Sequence, residues 1–147
     1  MSQIQIQPRT AYTGAYGGYG EYGGFSGISS DGTRGAAGGA GYHVNANGGW
    51  SAGAGAVAAG PNGLVAGGRA AADNAYFTGA AAGRACYDAA TGEFNSVTNA
   101  SWTSKATGES HARTASADIQ KGQGGTLTVT KDGQTSVYSI PARPAAE

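Results

Sequence analysis

From residue 50 onward the chain runs in short segments in which every second residue shares a character. Trp50, Ala52, Ala54, Ala56 and Ala58 fall on one side of the alternation, with Ser51, Gly53, Gly55 and Val57 on the other. Period two is the mark of a β-strand, because successive side chains point to opposite faces. Turn chemistry closes each segment. Gly60-Pro61-Asn62-Gly63 ends the first, and Leu64 to Ala72 follows up to Asp73-Asn74. Tyr76 to Cys86 runs to Asp88-Ala89-Ala90-Thr91-Gly92, and Phe94 to Ser104 to Lys105-Ala106-Thr107-Gly108. Glu109 to Ile119 reaches the Lys121-Gly125 loop; Thr126 to Thr130, the Lys131-Asp132-Gly133 turn and Thr135 to Ile140 complete the series. Turns at this spacing predict antiparallel strands connected up and down. Ala70–Ala72 and Ala80–Ala82 favour helix. No stripe of large apolar residues at helical spacing supports one, and interspersed Gly and β-branched residues oppose it. The expected fold is all-β, an Ala/Gly-rich antiparallel meander or sandwich over residues 50–147.

The first 49 residues read differently, as an extended Gly/Tyr-rich arm and linker. Gln3-Ile4-Gln5-Ile6-Gln7 alternates strictly, a short strand signal, and Pro8 after it suits an edge. Residues 14–28 then place glycine and an aromatic at fixed phases of a triplet: Gly14, Gly17, Gly20 and Gly23 against Tyr16, Tyr19, Tyr22 and Phe25. Three residues per turn is the period of an extended polyproline-II helix, which predicts a ring edge and a bare glycine edge. A flexible low-complexity arm is the other reading. The glycine spacing matches no phosphate-binding loop. Residues 29–49, with Asp31-Gly32 and Asn47-Gly48, read as turn and linker chemistry leading into the main body.

Composition sharpens the picture. Among 147 residues there are 28 Gly and 30 Ala, while Val, Ile, Leu and Phe together number 16. That is too little bulk for an ordinary enzyme core. Net charge is zero, with nine bases and nine acids scattered singly, so neither a charged disordered tail nor a basic stripe for nucleic acid is present. No run of about 18 apolar residues suits a membrane helix. Met1 to Thr10 lacks a basic start followed by an apolar stretch, which predicts a protein that stays where it is made, is released by lysis, or leaves by a route without a classical signal. Faces of Ala, Gly and Ser gain little on burial at about 25 cal/mol per Å2. A monomer built on them would be marginal, and stability would come from backbone ladders repeated over many subunits. Unpaired edges, liabilities in a monomer, become connectors in an assembly.

The chain repeats itself faintly. Tyr87-Asp88-Ala89-Ala90-Thr91-Gly92 and Lys105-Ala106-Thr107-Gly108 both set Ala-Thr-Gly at a turn, each followed by an acid, Glu93 or Glu109. Roughly residues 60–140 resemble Ala/Gly-rich bacterial β-repeat proteins of the cell surface or envelope. The resemblance implies a β-rich surface protein and transfers no functional residue.

Sites for chemistry are sparse. His43 and His111 stand in no metal-ligand spacing, and the acids mostly mark turns. No calcium loop appears. No catalytic residue, cofactor or metal is expected. Cys86 reads first as a small buried apolar side chain and otherwise as an intermolecular crosslink. Asn99-Ala100-Ser101 fits a glycosylation acceptor, a triplet common by chance. Trp50 and Trp102 could stack on sugar rings, though packing between subunits explains them more simply. Thr126, Thr128 and Thr130 line one strand face, compatible with ice matching and with plain β-propensity.

The expectation is a structural, self-assembling subunit of an extracellular, cell-surface or virion-type filament, its partners copies of itself. The assembly interface would be Ile4, Ile6, Gly14, Tyr16, Gly17, Tyr19, Gly20, Tyr22, Gly23 and Phe25 in the arm. The alternative is an adhesin or fibre tip that binds surface glycans through exposed aromatics.

Overall fold

A computed structural model describes residues 5–15, 20–45 and 47–143. These residues form the strands β1 (Gln5–Ala15), β2 (Gly20–Ser30), β3 (Gly35–Asn45), β4 (Trp50–Gly60), β5 (Gly63–Asp73), β6 (Phe77–Asp88), β7 (Glu93–Ser104), β8 (Ser110–Gln120), β9 (Gly124–Lys131) and β10 (Gln134–Ile140). They lie side by side in chain order, each antiparallel to the next, in one sheet. The all-β meander is therefore the architecture formed. Connections are too short for anything else. Pro61-Asn62 joins β4 to β5 and Asp132-Gly133 joins β9 to β10. Loops of that length return the chain beside itself and cannot carry it to a second layer.

Each turn holds its own amides. The Asp31 Oδ1 accepts from Thr33 N at 2.9 Å and Arg34 N at 2.6 Å. Asn74 Oδ1 does the same for Tyr76 and Phe77, and Asp88 Oδ1 for Ala90 and Thr91. These are Asx turns, in which a short side chain replaces a backbone acceptor. The Thr33 and Arg34 amides hold the Asp31 carboxyl below the usual carboxylate range. Asp132 and Gly133 both take positive φ, 48° and 83°, as a two-residue hairpin with the right-handed strand twist demands.

The sequence reading and the structure part company before residue 50. Residues 35–45, read as linker, form β3, which pairs along its whole length with β2 and through ten positions with β4. Gly35-Ala36-Ala37-Gly38-Gly39-Ala40-Gly41 has almost no side-chain alternation to betray a strand. Two neighbouring ladders impose the extended state that its own propensity does not. The described parts of the triplet run, residues 14–15 and 20–28, likewise lie in β1 and β2 rather than in a three-fold helix. Ladder bonds satisfy backbone amides that a polyproline-II segment would leave to water.

Among residues 23–24, 26–45 and 47–143 no hydrophobic side chain is buried, and Ile28, Val65, Tyr76, Val137 and Tyr138 are more than half or about half exposed. One layer has two wet faces and no interior. Cohesion within this chain rests on the ladders and on half-covered side chains.

Candidate functional site: two unlike faces and two free edges

Antiparallel register sorts every strand position onto one of two faces. One face, from β4 to β7, carries the row Ala54, Arg69, Ala82 and Asn99, continued by Thr114, Thr130 and Thr135 on β8 to β10. It also carries Asp73, Arg84, Asp88, Glu93 and Asp118 by the same register. Hydrogen bonds knit it together: Thr114 Oγ1 donates to Asn99 Oδ1 at 2.9 Å, and the Thr130 and Thr135 hydroxyls lie 2.9 Å apart. At its rim Lys105 Nζ pairs with Asp73. This is the polar face. A shallow trough of about 1060 Å3 crosses it, floored by alanine methyls and bordered by Tyr42, Arg69 and Asn99. It is open along its length, and Asn99 and Arg69 do not converge on an enclosed point, so nothing there shields a reaction from water.

The opposite face is apolar. One row runs Ala59, Leu64, Tyr87, Phe94, Ile119, Gly125 and Ile140 across seven consecutive strands. The next holds Ile28, Ala37, Val57, Ala66, Ala85, Ser96, Ala117, Leu127 and Tyr138. At the other end stand His43, Ser51, Ala72, Gly79, Trp102 and His111. Between the two ends lies a bare band, Gly39, Gly55, Gly68 and Gly83, in register on four successive strands. Of the charged side chains on β3 to β10, only Arg113 and Lys131 belong here, paired with each other near the end of β9. A shallow hollow of about 880 Å3 is bordered by His43, Phe77 and Trp102.

His111 and Asp132 lock the end of this sheet. The Asp132 carboxylate accepts from the Ala112 N–H at 2.8 Å and meets His111 Nδ1 at 3.0 Å, while the Asp132 N–H donates to the Ala112 carbonyl at 2.9 Å. His111 also tilts over Trp102, ring centroids 5.5 Å apart. The contacts described bring no nucleophile to this His–Asp pair, and its work is to tie the β9–β10 turn to β8. The Ala112 amide, then His111, hold the Asp132 carboxyl below the usual carboxylate range. A depressed folded pKa means that the lock is present above the unfolded carboxyl pKa and is lost as pH falls through the folded one. Taking pH from about 5 to about 2 should therefore shift the Ala112 amide resonance in an NMR titration. Asp132→Asn should abolish that shift; an Ala112 amide indifferent to pH in the native protein would remove the lock.

Comparison with family models, curated proteins and solved structures finds no match.

The sequence candidates scatter. Ile6 and Gly14 lie in β1, and Gly20, Tyr22, Gly23 and Phe25 in β2, each paired within this sheet. Ile4, Tyr16, Gly17 and Tyr19 lie outside the described residues. Trp50 sits on the polar face, 43% exposed, and Trp102 on the apolar one, so the two rings do not form one sugar platform. Cys86 is free and exposed, against its reading as a buried apolar side chain; a single layer offers no interior to bury it. It lies on the polar face between Val65 and Asn95. Among the described residues no three His, Cys, Asp or Glu gather as metal ligands, and no helix is long and apolar enough to cross a membrane. Sequence reasoning missed the apolar row. Its members are alternately a turn apart and nearly two strands apart in sequence, as Ala59 and Leu64 against Leu64 and Tyr87 are, and only register lines them up.

Proposed function

We propose that the chain is a structural, self-assembling subunit of a filament or fibre at a cell surface, in the extracellular space or on a virion. The observation that carries this reading is a broad single-layer sheet with no buried hydrophobic side chain from β3 to β10. Such a sheet gains most when copies cover its surfaces, because each contact removes apolar area from water that the single chain leaves wet.

The edges favour growth on one side. β1 carries Pro8, Arg9 and a register shift between Arg9 and Tyr12, the devices that blunt an edge strand. β10, Gln134–Ile140, has neither proline nor charge; Val137 is 64% and Tyr138 56% exposed. An uncharged, exposed edge is a template for another strand. Negative-stain electron microscopy beside size exclusion at micromolar concentration tests the reading. Filaments or large uniform oligomers are expected, and Val137→Lys should shorten them or lower the sedimenting fraction. A sharp monomer peak with a cooperative melt would overturn it.

A further inference from the structure

We infer that the apolar face is covered by the same face of a second copy, the two sheets related by a two-fold axis that lies between them and runs parallel to the strands. This rests on the self-assembly reading and says which surface is joined and how.

Bulk on the apolar face is lopsided. β6 to β10 contribute Phe77, Tyr87, Phe94, Trp102, Ile119, Leu127 and Tyr138, while β3 to β5 contribute mainly Gly and Ala. A two-fold along the strands reverses strand order while keeping row height. It therefore lays β7 over β4 of the other copy, and β8 over β3. Phe94 then stands over Ala59, Trp102 over Ser51 and Ile119 over Gly35, in the rows that register defines. Large meets small at these three places, while Tyr87 lies against Leu64 beside the axis and Leu127 against Ile28 farther out, and the same arrangement recurs across the axis, as a self-complementary interface requires. A two-fold running across the strands would instead keep strand order, laying β7 over β7 and the glycine band over itself, ring against ring and glycine against glycine, with voids between.

Charge points the same way. Strands β3 to β10 keep all their acids on the polar face, so covering the apolar face strands no carboxylate. Arg113 and Lys131 sit toward one end, where long stems let their heads reach solvent. Area suffices as well. Strands about 4.8 Å apart and about 3.3 Å per residue give a ten-strand face of roughly 1,500 Å2, against about 800 Å2 per partner in a standard stable interface.

The test places a large side chain where the partner's Phe94 is to sit. Ala59 and Ala58 are neighbours on β4, both exposed, facing opposite sides of the sheet. Ala59→Trp should raise the dissociation constant for pairing at least tenfold, read by analytical ultracentrifugation, because overpacking a close contact costs more than the ring gains. Ala58→Trp, on the polar face, should leave pairing unchanged. Far-UV circular dichroism of both variants checks that the sheet persists. If the native chain stays monomeric up to about 100 μM, this inference and the self-assembly reading fall together. If it assembles but the two tryptophan variants pair alike, or if Val137→Lys alone dissolves the assembly, the face-to-face pairing is wrong and the edge-growth reading stands. Capture on phosphatidylcholine vesicles by a chain that never self-associates would reassign the apolar face to lipid and overturn the pairing.

Discussion

Gly63→Ala should unfold the middle of the sheet. Gly63 opens β5 at φ 135°, where a side chain is strained whatever the space. The space is also taken: a Cβ there would lie 1.8 Å from the Tyr87 carbonyl oxygen and 2.9 Å from its carbon. Those atoms are backbone of β6, which pairs with β5 at every position from Gly63 to Asp73. They cannot retreat without opening that ladder. The hairpin around Pro61-Asn62 is anchored here too, since the Ala89 N–H donates to the Asn62 carbonyl at 3.0 Å. Strain of this kind together with a lost ladder end costs about 3 kcal/mol or more, a large share of what a small domain holds in reserve. Urea denaturation followed by circular dichroism should show the midpoint falling steeply, or no cooperative transition. Gly27→Ala is the contrast. No atom lies within 4 Å of where a Cβ would stand there and its φ is ordinary, so it should be neutral or stabilise by about 0.5 kcal/mol. Equal midpoints for the two variants would refute the strain at Gly63.

Phe94→Ala should have an effect that depends on protein concentration. Phe94 lies between Tyr87 and Ile119 in the apolar row and is only half covered by them. In the dilute chain its removal gives up part of one side chain's burial, about 1 kcal/mol. Once a second sheet lies over it, the same deletion leaves a cavity at a closed contact and costs about 3–5 kcal/mol. Thermal melts across a hundredfold range of concentration, about 1 to 100 μM, should show native and variant curves separating as concentration rises. A constant difference would mean that Phe94 stays open to water and that its row is not covered.

Much of the architecture was legible because turn chemistry is local. Asp31, Asn74 and Asp88 hold amides two and three residues ahead, and Asp132-Gly133 demands positive φ, so each turn is written in three or four adjacent residues. Side-chain alternation on β4 and on β6 to β10 then filled the intervals. β3 was not legible, because glycine and alanine alternate with nothing to contrast, and its pairing with β2 and β4 supplied the order. The triplet period of residues 14–28 was real as a pattern, but over residues 20–28 backbone pairing in β2 overrode it.

What the chain's residues determined by themselves is the class: many short strands, tight turns, faces of small side chains, no bulk for an interior. Propensity and turn geometry act over a few residues, so they can be read in order along the chain. Only the tertiary structure decided that the strands form one layer, that acids gather on one face, and that Leu64, Tyr87, Phe94 and Ile119 stand in line on the other. Those facts follow from register. A shift of one residue on any strand would exchange its two faces, and that choice is settled by pairing between strands.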